Sequence, residues 1–146
     1  MKIDFEDLKR DFEAIGAKKE EESQNYAGND LVESVCELAL APALCGVYFS
    51  RLDIKVIGLK FGEDVQIRER KRMLRDILRA VTSKEELWKI VEIIIESAHE
   101  KAAVYDELCE KFPSSREIFQ DYKKRIGDFE KRLRQVARRF EKSLFL

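Results

Sequence analysis

Histidine occurs once in the 146 residues, proline twice, asparagine twice, and cysteine three times. Each scarcity closes off a class of chemistry. A lone imidazole leaves no second histidine for a metal set and no plausible nucleophile–base pair, and the chain carries no Gly-rich phosphate loop, so enzymatic activity and a cofactor are not expected. Cys36, Cys45 and Cys109 are odd in number and form no CxxC pair, which argues against a disulfide framework and a structural zinc site and for a reducing cytoplasm. Cys36 and Cys45 are nine residues apart, half a rotation out of phase on one helix, and cannot bridge within it. The longest apolar run, residues 38–49, falls well short of the roughly 20 residues needed to cross a bilayer. No basic-then-apolar leader opens the chain, so a soluble, untargeted protein without a membrane partner is expected. Net charge is only -1, and no global field draws the chain toward nucleic acid.

What is abundant is apolar and charged residues, at 45% and 39%. The length suits one domain with one core. Rich in Lys and Glu and poor in amides, the composition resembles that of heat-adapted proteins. Apolar residues recur at helical spacing, which predicts an all-α antiparallel bundle of about five helices. Residues 1–25 read as an amphipathic helix and a linker, and 26–146 as the bundle. In the first helix, about 4–20, Phe5, Leu8, Phe12 and Ile15 form one stripe, a candidate surface for a protein partner.

The second helix, about 30–52, is apolar nearly all round beyond Glu37, as befits a central element; Pro42 should kink it. Ala39, Ala43, Gly46 and Ser50 make a small-residue line suited to close helix packing, or to a cleft at the kink. The following DIKVIGLKFGED reads as an ordered connection, the one place where extended structure is plausible. A third helix, about 65–82, should bury Ile67, Leu74, Ile77, Leu78 and Val81. Ser83 with Glu86 and Ser114 with Glu117 form capping boxes that bound a long hairpin, about 84–112 and 115–143.

The hairpin carries regular seams. Leu87, Val91, Ile94, Ala98, Lys101, Tyr105, Leu108 and Phe112 alternate steps of four and three with Lys101 the one charged exception; Phe119, Tyr122, Ile126, Phe129, Leu133, Val136 and Phe140 do so without one. A flanking apolar line, Trp88, Ile95, Ala102 and Cys109, widens the buried face, so this helix must touch more than one neighbour.

His99 follows Glu96 by three residues, the spacing at which carboxylate metal sites begin. At about 100° per residue, Glu96 lies about 140° and His99 about 100° from the seam, so both should face water. ESAHEKAAVYDEL followed by REIFQDYKKRIGDFEKRL resembles the second half of ferritin-like and rubrerythrin-like proteins over about a third of the chain. That resemblance implies a carboxylate metal site within a bundle, with Glu96 and His99 as ligands. The sequence departs from the pattern in the last helix, which has no histidine and reads Lys, Arg, Asp and Lys where acids and ligands would stand. A phosphoryl-accepting histidine is opposed by Glu92, Glu96, Glu100 and Asp106 on the same surface.

Charge is segregated. Net charge is -6 over residues 1–50, +4 over 51–80, -4 over 81–112 and +5 over 113–146. Lys124-Arg125, Lys131-Arg132 and Arg138-Arg139 recur every seven residues, but Asp121 and Asp128 sit four residues before Arg125 and Arg132, so this ridge reads as a solvated face. Arg68, Arg72, Arg75 and Arg79 make a sharper stripe, able to bind phosphate or to pair with acidic helices of the same chain. Two functions follow as expectations. One is a non-enzymatic interaction or assembly subunit that binds a protein partner or itself, through the first helix, exposed seam surface or the tail Leu144, Phe145 and Leu146. The other is a small RNA- or DNA-binding subunit of a ribonucleoprotein that uses the arginine stripe.

Overall fold

A computed structural model describes residues 28–144. The amphipathic stripe Phe5, Leu8, Phe12 and Ile15, the boundary at residue 25, and Phe145 and Leu146 lie outside the described residues. Those described form an all-α bundle: α1 (Asn29–Ala39), α2 (Pro42–Cys45), α3 (Arg51–Phe61), α4 (Arg70–Arg79), α5 (Lys84–Lys111) and α6 (Arg116–Leu144), with a 3-10 turn at Pro113–Ser115. The antiparallel pair α5 and α6 is the spine; α1 packs on α6 and α4, α2 on α6, and α3 on α4 and α5.

The expected single helix over 30–52 is three elements, for three local reasons. Proline disfavours helical backbone in the residue before it, and Ala41 is extended at φ -103° and ψ 105°, so α1 has ended and Pro42 starts a new turn. Gly46 closes that turn in the left-handed region at φ 78°, where any side chain would be strained. Ser50 then starts α3 with a reciprocal cap: Asp53 N donates to Ser50 Oγ at 3.1 Å and Ser50 N to Asp53 Oδ2 at 2.7 Å. The expected connection DIKVIGLKFGED is therefore mostly helix, its C-terminus capped by Gly62 at φ 99°. Gly58 permits close packing within it, since a Cβ there would lie 2.8 Å from the Glu63 carbonyl oxygen.

The helix expected over 65–82 is shorter, and Ile67, expected inside, is 50% exposed on the segment before it. Leu74, Ile77, Leu78 and Val81 are buried. At the start of α5, Glu86 N donates to Ser83 Oγ at 3.2 Å, while the Glu86 carboxylate accepts from Thr82 N at 2.8 Å instead of from Ser83. Among the described residues Ser114 and Glu117 make no mutual bond; the 3-10 turn stands where that cap was expected.

The buried core is entirely apolar. Along the spine it runs from Leu87 to Ala98 on α5 and from Ile126 to Ala137 on α6. Segregated charge explains the pairing of the two helices. Lys84 meets Glu141 at 2.7 Å, Arg134 grips the Glu92 carboxylate with both terminal nitrogens, His99 meets Glu130 at 2.9 Å, and Lys123 meets Asp106 at 2.6 Å. These pairs lie at successive levels of one antiparallel register and flank the apolar seam. Each is partly exposed and screened by solvent, so they select the register more than they stabilise it.

Candidate functional site

His99 is 53% exposed and Glu96 is exposed. The imidazole's partner is Glu130 across the hairpin, at 2.9 Å, and Glu130 in turn accepts from Arg134 at 3.2 Å. The bonded imidazole holds the Glu130 carboxyl below its usual range against the opposing effect of burial, with Arg134 adding to the pull. This is a surface chain of hydrogen bonds, in which the acid's lone pairs face a guanidinium. No group of three or more His, Cys, Asp or Glu among the described residues is placed to hold a metal ion.

The arginine stripe is divided by the short α4. Arg68 precedes the helix and donates to Gln66 Oε1 at 2.8 Å. Arg75 donates to Glu33 of α1 at 3.2 Å, and Lys71 meets the same carboxylate at 3.0 Å. The Lys71 hydrogen bond, opposed by burial and aided by Arg75, keeps the Glu33 carboxyl below its ordinary value. Arg72 is exposed and makes no ion pair or hydrogen bond among the described residues; Arg79 is half-buried. The stripe is thus one open guanidinium among engaged ones. Arg70, not singled out in the sequence, binds the α2–α3 loop by donating to the Phe49 carbonyl at 2.6 Å, with its guanidinium 4.1 Å from the centre of the Tyr48 ring.

Lys101, the charged exception in the seam, points to α3 and meets the capping Asp53 at 2.7 Å. Burial would raise the Asp53 carboxyl, but the bonds from Lys101 and Ser50 outweigh it and hold it low. The small-residue line has two contact points: Ala39 is buried, and Gly46 touches α6 so closely that a Cβ would sit 2.5 Å from the Tyr122 carbonyl oxygen. Ala43 is exposed and Ser50 is the α3 cap, so the four residues do not form one packed stripe, and Leu40 and Arg51 on either side of the break line a shallow pocket with Glu69, Arg70 and Lys71. A shallow groove of about 350 Å³ separates α1 from α6, lined by Leu38 and Val136 with Glu37, Arg132 and Arg139 at its rim.

The feature that the sequence did not single out is where the covering of the hairpin stops. Tyr105 donates its hydroxyl to the Gly46 carbonyl at 2.7 Å and stacks on Tyr122 with ring centres 5.6 Å apart. Beyond this point, among the described residues, no other helix covers α5 and α6. No side chain between residues 99 and 125 is buried, yet the apolar pattern continues to the turn. Val104 is 52% exposed, Phe112 53% and Ile118 58%, while Leu108, Cys109 and Phe119 are half-buried. Two helices alone can cover a narrow seam but not the wide face that the flanking line creates.

Comparisons of the chain with models of protein families, with curated proteins and with solved structures found no match. Among the described residues no helix is long and apolar enough to cross a membrane.

Proposed function

We propose that this chain is a non-enzymatic interaction or assembly subunit that binds a protein partner at the far end of its α5–α6 hairpin. One observation carries the reading: burial ends at Ala98 and Ile126, while apolar seam residues continue to Phe112 and Phe119. Exposed apolar residues grouped at one end of a rigid element are costly to solubility, and an occupant that covers them offsets that cost. A helical or extended segment bringing one or two large apolar side chains would complete a third wall beside Phe112 and Ile118. The same geometry disfavours catalysis, since this end of the molecule has an apolar surface rimmed by solvated charges.

The test is a photo-cross-linking amino acid placed at Ile118, and separately at Glu37 on α1, in the protein expressed in its own cells. A discrete adduct from position 118 that is absent from position 37, and is lost in Phe112→Asp, supports the reading. Equal, diffuse labelling from both positions refutes it. The nucleic-acid reading has less to stand on, because Arg75 and Lys71 are engaged by Glu33 and Arg68 lies off the helix.

A further inference from the structure

A second surface, independent of the hairpin end, lies on α3. This helix is apolar on both sides. Ile54, Ile57, Gly58 and Phe61 face the core, while Leu52, Val56 and Leu59 stand 72%, 47% and 53% exposed on the opposite side. Their steps of four and three place them in one line, about 10 Å from Leu52 to Leu59 at 1.5 Å per residue.

We infer that α3 is a self-association surface, on which α3 of a second copy lies antiparallel across a two-fold axis. Two-fold contacts demand a patch that matches itself when reversed. This stripe does: reversed about its centre, Leu52 falls opposite Leu59 of the second copy, Leu59 opposite its Leu52, and Val56 beside its Val56. The charges alongside fit the same occupant. Asp53 is held by Lys101 at 2.7 Å, Lys60 meets Glu100 at 3.6 Å, and Lys55 bonds Asp64 and, at 2.6 Å, the Val65 carbonyl. Three cations and three anions thus border the stripe, each neutralised within its own chain. Arg51, exposed beside Leu52, is the charge on α3 left without an ion pair among the described residues, so a second copy meets few unpaired ions there and a strongly charged partner would find little to pair with. The exposed apolar area, on the order of 300 Å² per copy, is that of a functional patch on a monomer, and being well short of the roughly 800 Å² per partner of a stable complex it supports only a weak, transient contact. A reversible dimer with a dissociation constant of tens of micromolar is expected, in the range of about 10 to 100 µM.

The experiment uses the full chain with Cys109→Ser, leaving the buried Cys36 and Cys45 in place. Sedimentation velocity from about 5 to 500 µM should show a monomer passing to a dimer, and Val56→Glu should weaken the association by about 30-fold or more. Under mild oxidation, Leu52→Cys mixed with Leu59→Cys should give a disulfide-linked dimer, while neither does so alone; Val56→Cys should link to itself. Circular dichroism of Val56→Glu identical to the parent shows that the loss is one of contact and not of folding. A chain that stays monomeric at the highest concentration overturns the inference, as does a dimer indifferent to Val56→Glu or one that links Leu52→Cys to itself. A monomer in which cysteines at positions 12 and 56 join within one chain would assign the stripe to the N-terminal segment and equally overturn it.

Discussion

Replacing Gly46 by alanine tests the point on which the arrangement of the hairpin rests. Gly46 ends α2 at φ 78°, and an added Cβ would lie 2.5 Å from the Tyr122 carbonyl oxygen and 2.8 Å from Ile126 Cγ1. Two costs follow from different physics. Holding an alanine in the left-handed region costs about 1–2 kcal/mol. The clash adds about 1–3 kcal/mol of overpacking, because the nearest atom belongs to the backbone of a long helix and cannot rotate aside. Gly62 separates the two: it has φ 99° but nothing within 4 Å of its would-be Cβ. Gly62→Ala should therefore show the conformational cost alone.

At about 4 °C per kcal/mol for a domain of this size, Gly62→Ala should lower the melting temperature by about 4–8 °C and Gly46→Ala by about 8–20 °C. Thermal melts followed by circular dichroism, with urea titrations for the free energies, measure both. The Tyr105 hydroxyl, bonded to the Gly46 carbonyl, should lose that bond as the loop lifts off α6. Equal losses in the two variants would mean that α2 does not approach α6 as described, and the claim that the hairpin's covering ends at Gly46 would fall with it.

Three further outcomes are expected. With Ellman's reagent at neutral pH, only the partly exposed Cys109 should react quickly; Cys36, whose thiol burial pushes up to about 11, and Cys45, also buried, should react only after unfolding, and three fast thiols in the native protein would contradict the core. Glu33, Asp53 and Glu130 all have folded pKa values below their ordinary ones of 4.5, 3.8 and 4.5, so the stability they contribute is fully present above those values and is lost as pH falls through the depressed ones. The melting temperature should consequently be flat from neutral pH down to about 5 and decline below about 4, modestly because each group is partly solvated, and a rise on acidification would refute these partner assignments. On heparin, the native chain should elute at low salt and Arg68→Glu with Arg72→Glu should elute little earlier; strong, salt-resistant retention abolished by that pair would revive the nucleic-acid reading.

The hairpin was legible because its seam is periodic over many turns and its acids and bases sit on opposite strands of one register. Ser83 marks its start, and Pro42 marks a discontinuity without showing its extent. A proline alone predicts a kink, but here Gly46 and the Ser50–Asp53 cap follow within a few residues and turn one kinked helix into three elements. The capping pair is inconspicuous in the sequence because its acid is aspartate and because the residues after it do not form one stripe. In α3 apolar side chains alternate between two faces around Gly58, so the segment reads as a continuous apolar run with a break in it. Helical periodicity is conspicuous only when one face is polar.

The hairpin end that the described residues leave uncovered was illegible for a more general reason. Phe112 and Phe119 continue the same steps of four and three as Ile94 and Phe129, and nothing in the spacing distinguishes a seam covered by a third helix from one left open. Coverage is decided elsewhere in the chain, by where α2 stops and how closely Gly46 lets it approach α6. The flanking line from Trp88 to Cys109 demanded a neighbour along its whole length. The fold supplies one only over part of it: Trp88 is half-buried and reaches Glu141 at 3.2 Å, Ile95 is buried, and beyond Ala102 the described chain supplies nothing more. The mismatch between apolar length and covered length is the physical reason for proposing a partner at the far end, and cross-linking at Ile118 tests that proposal at the position where the mismatch is greatest.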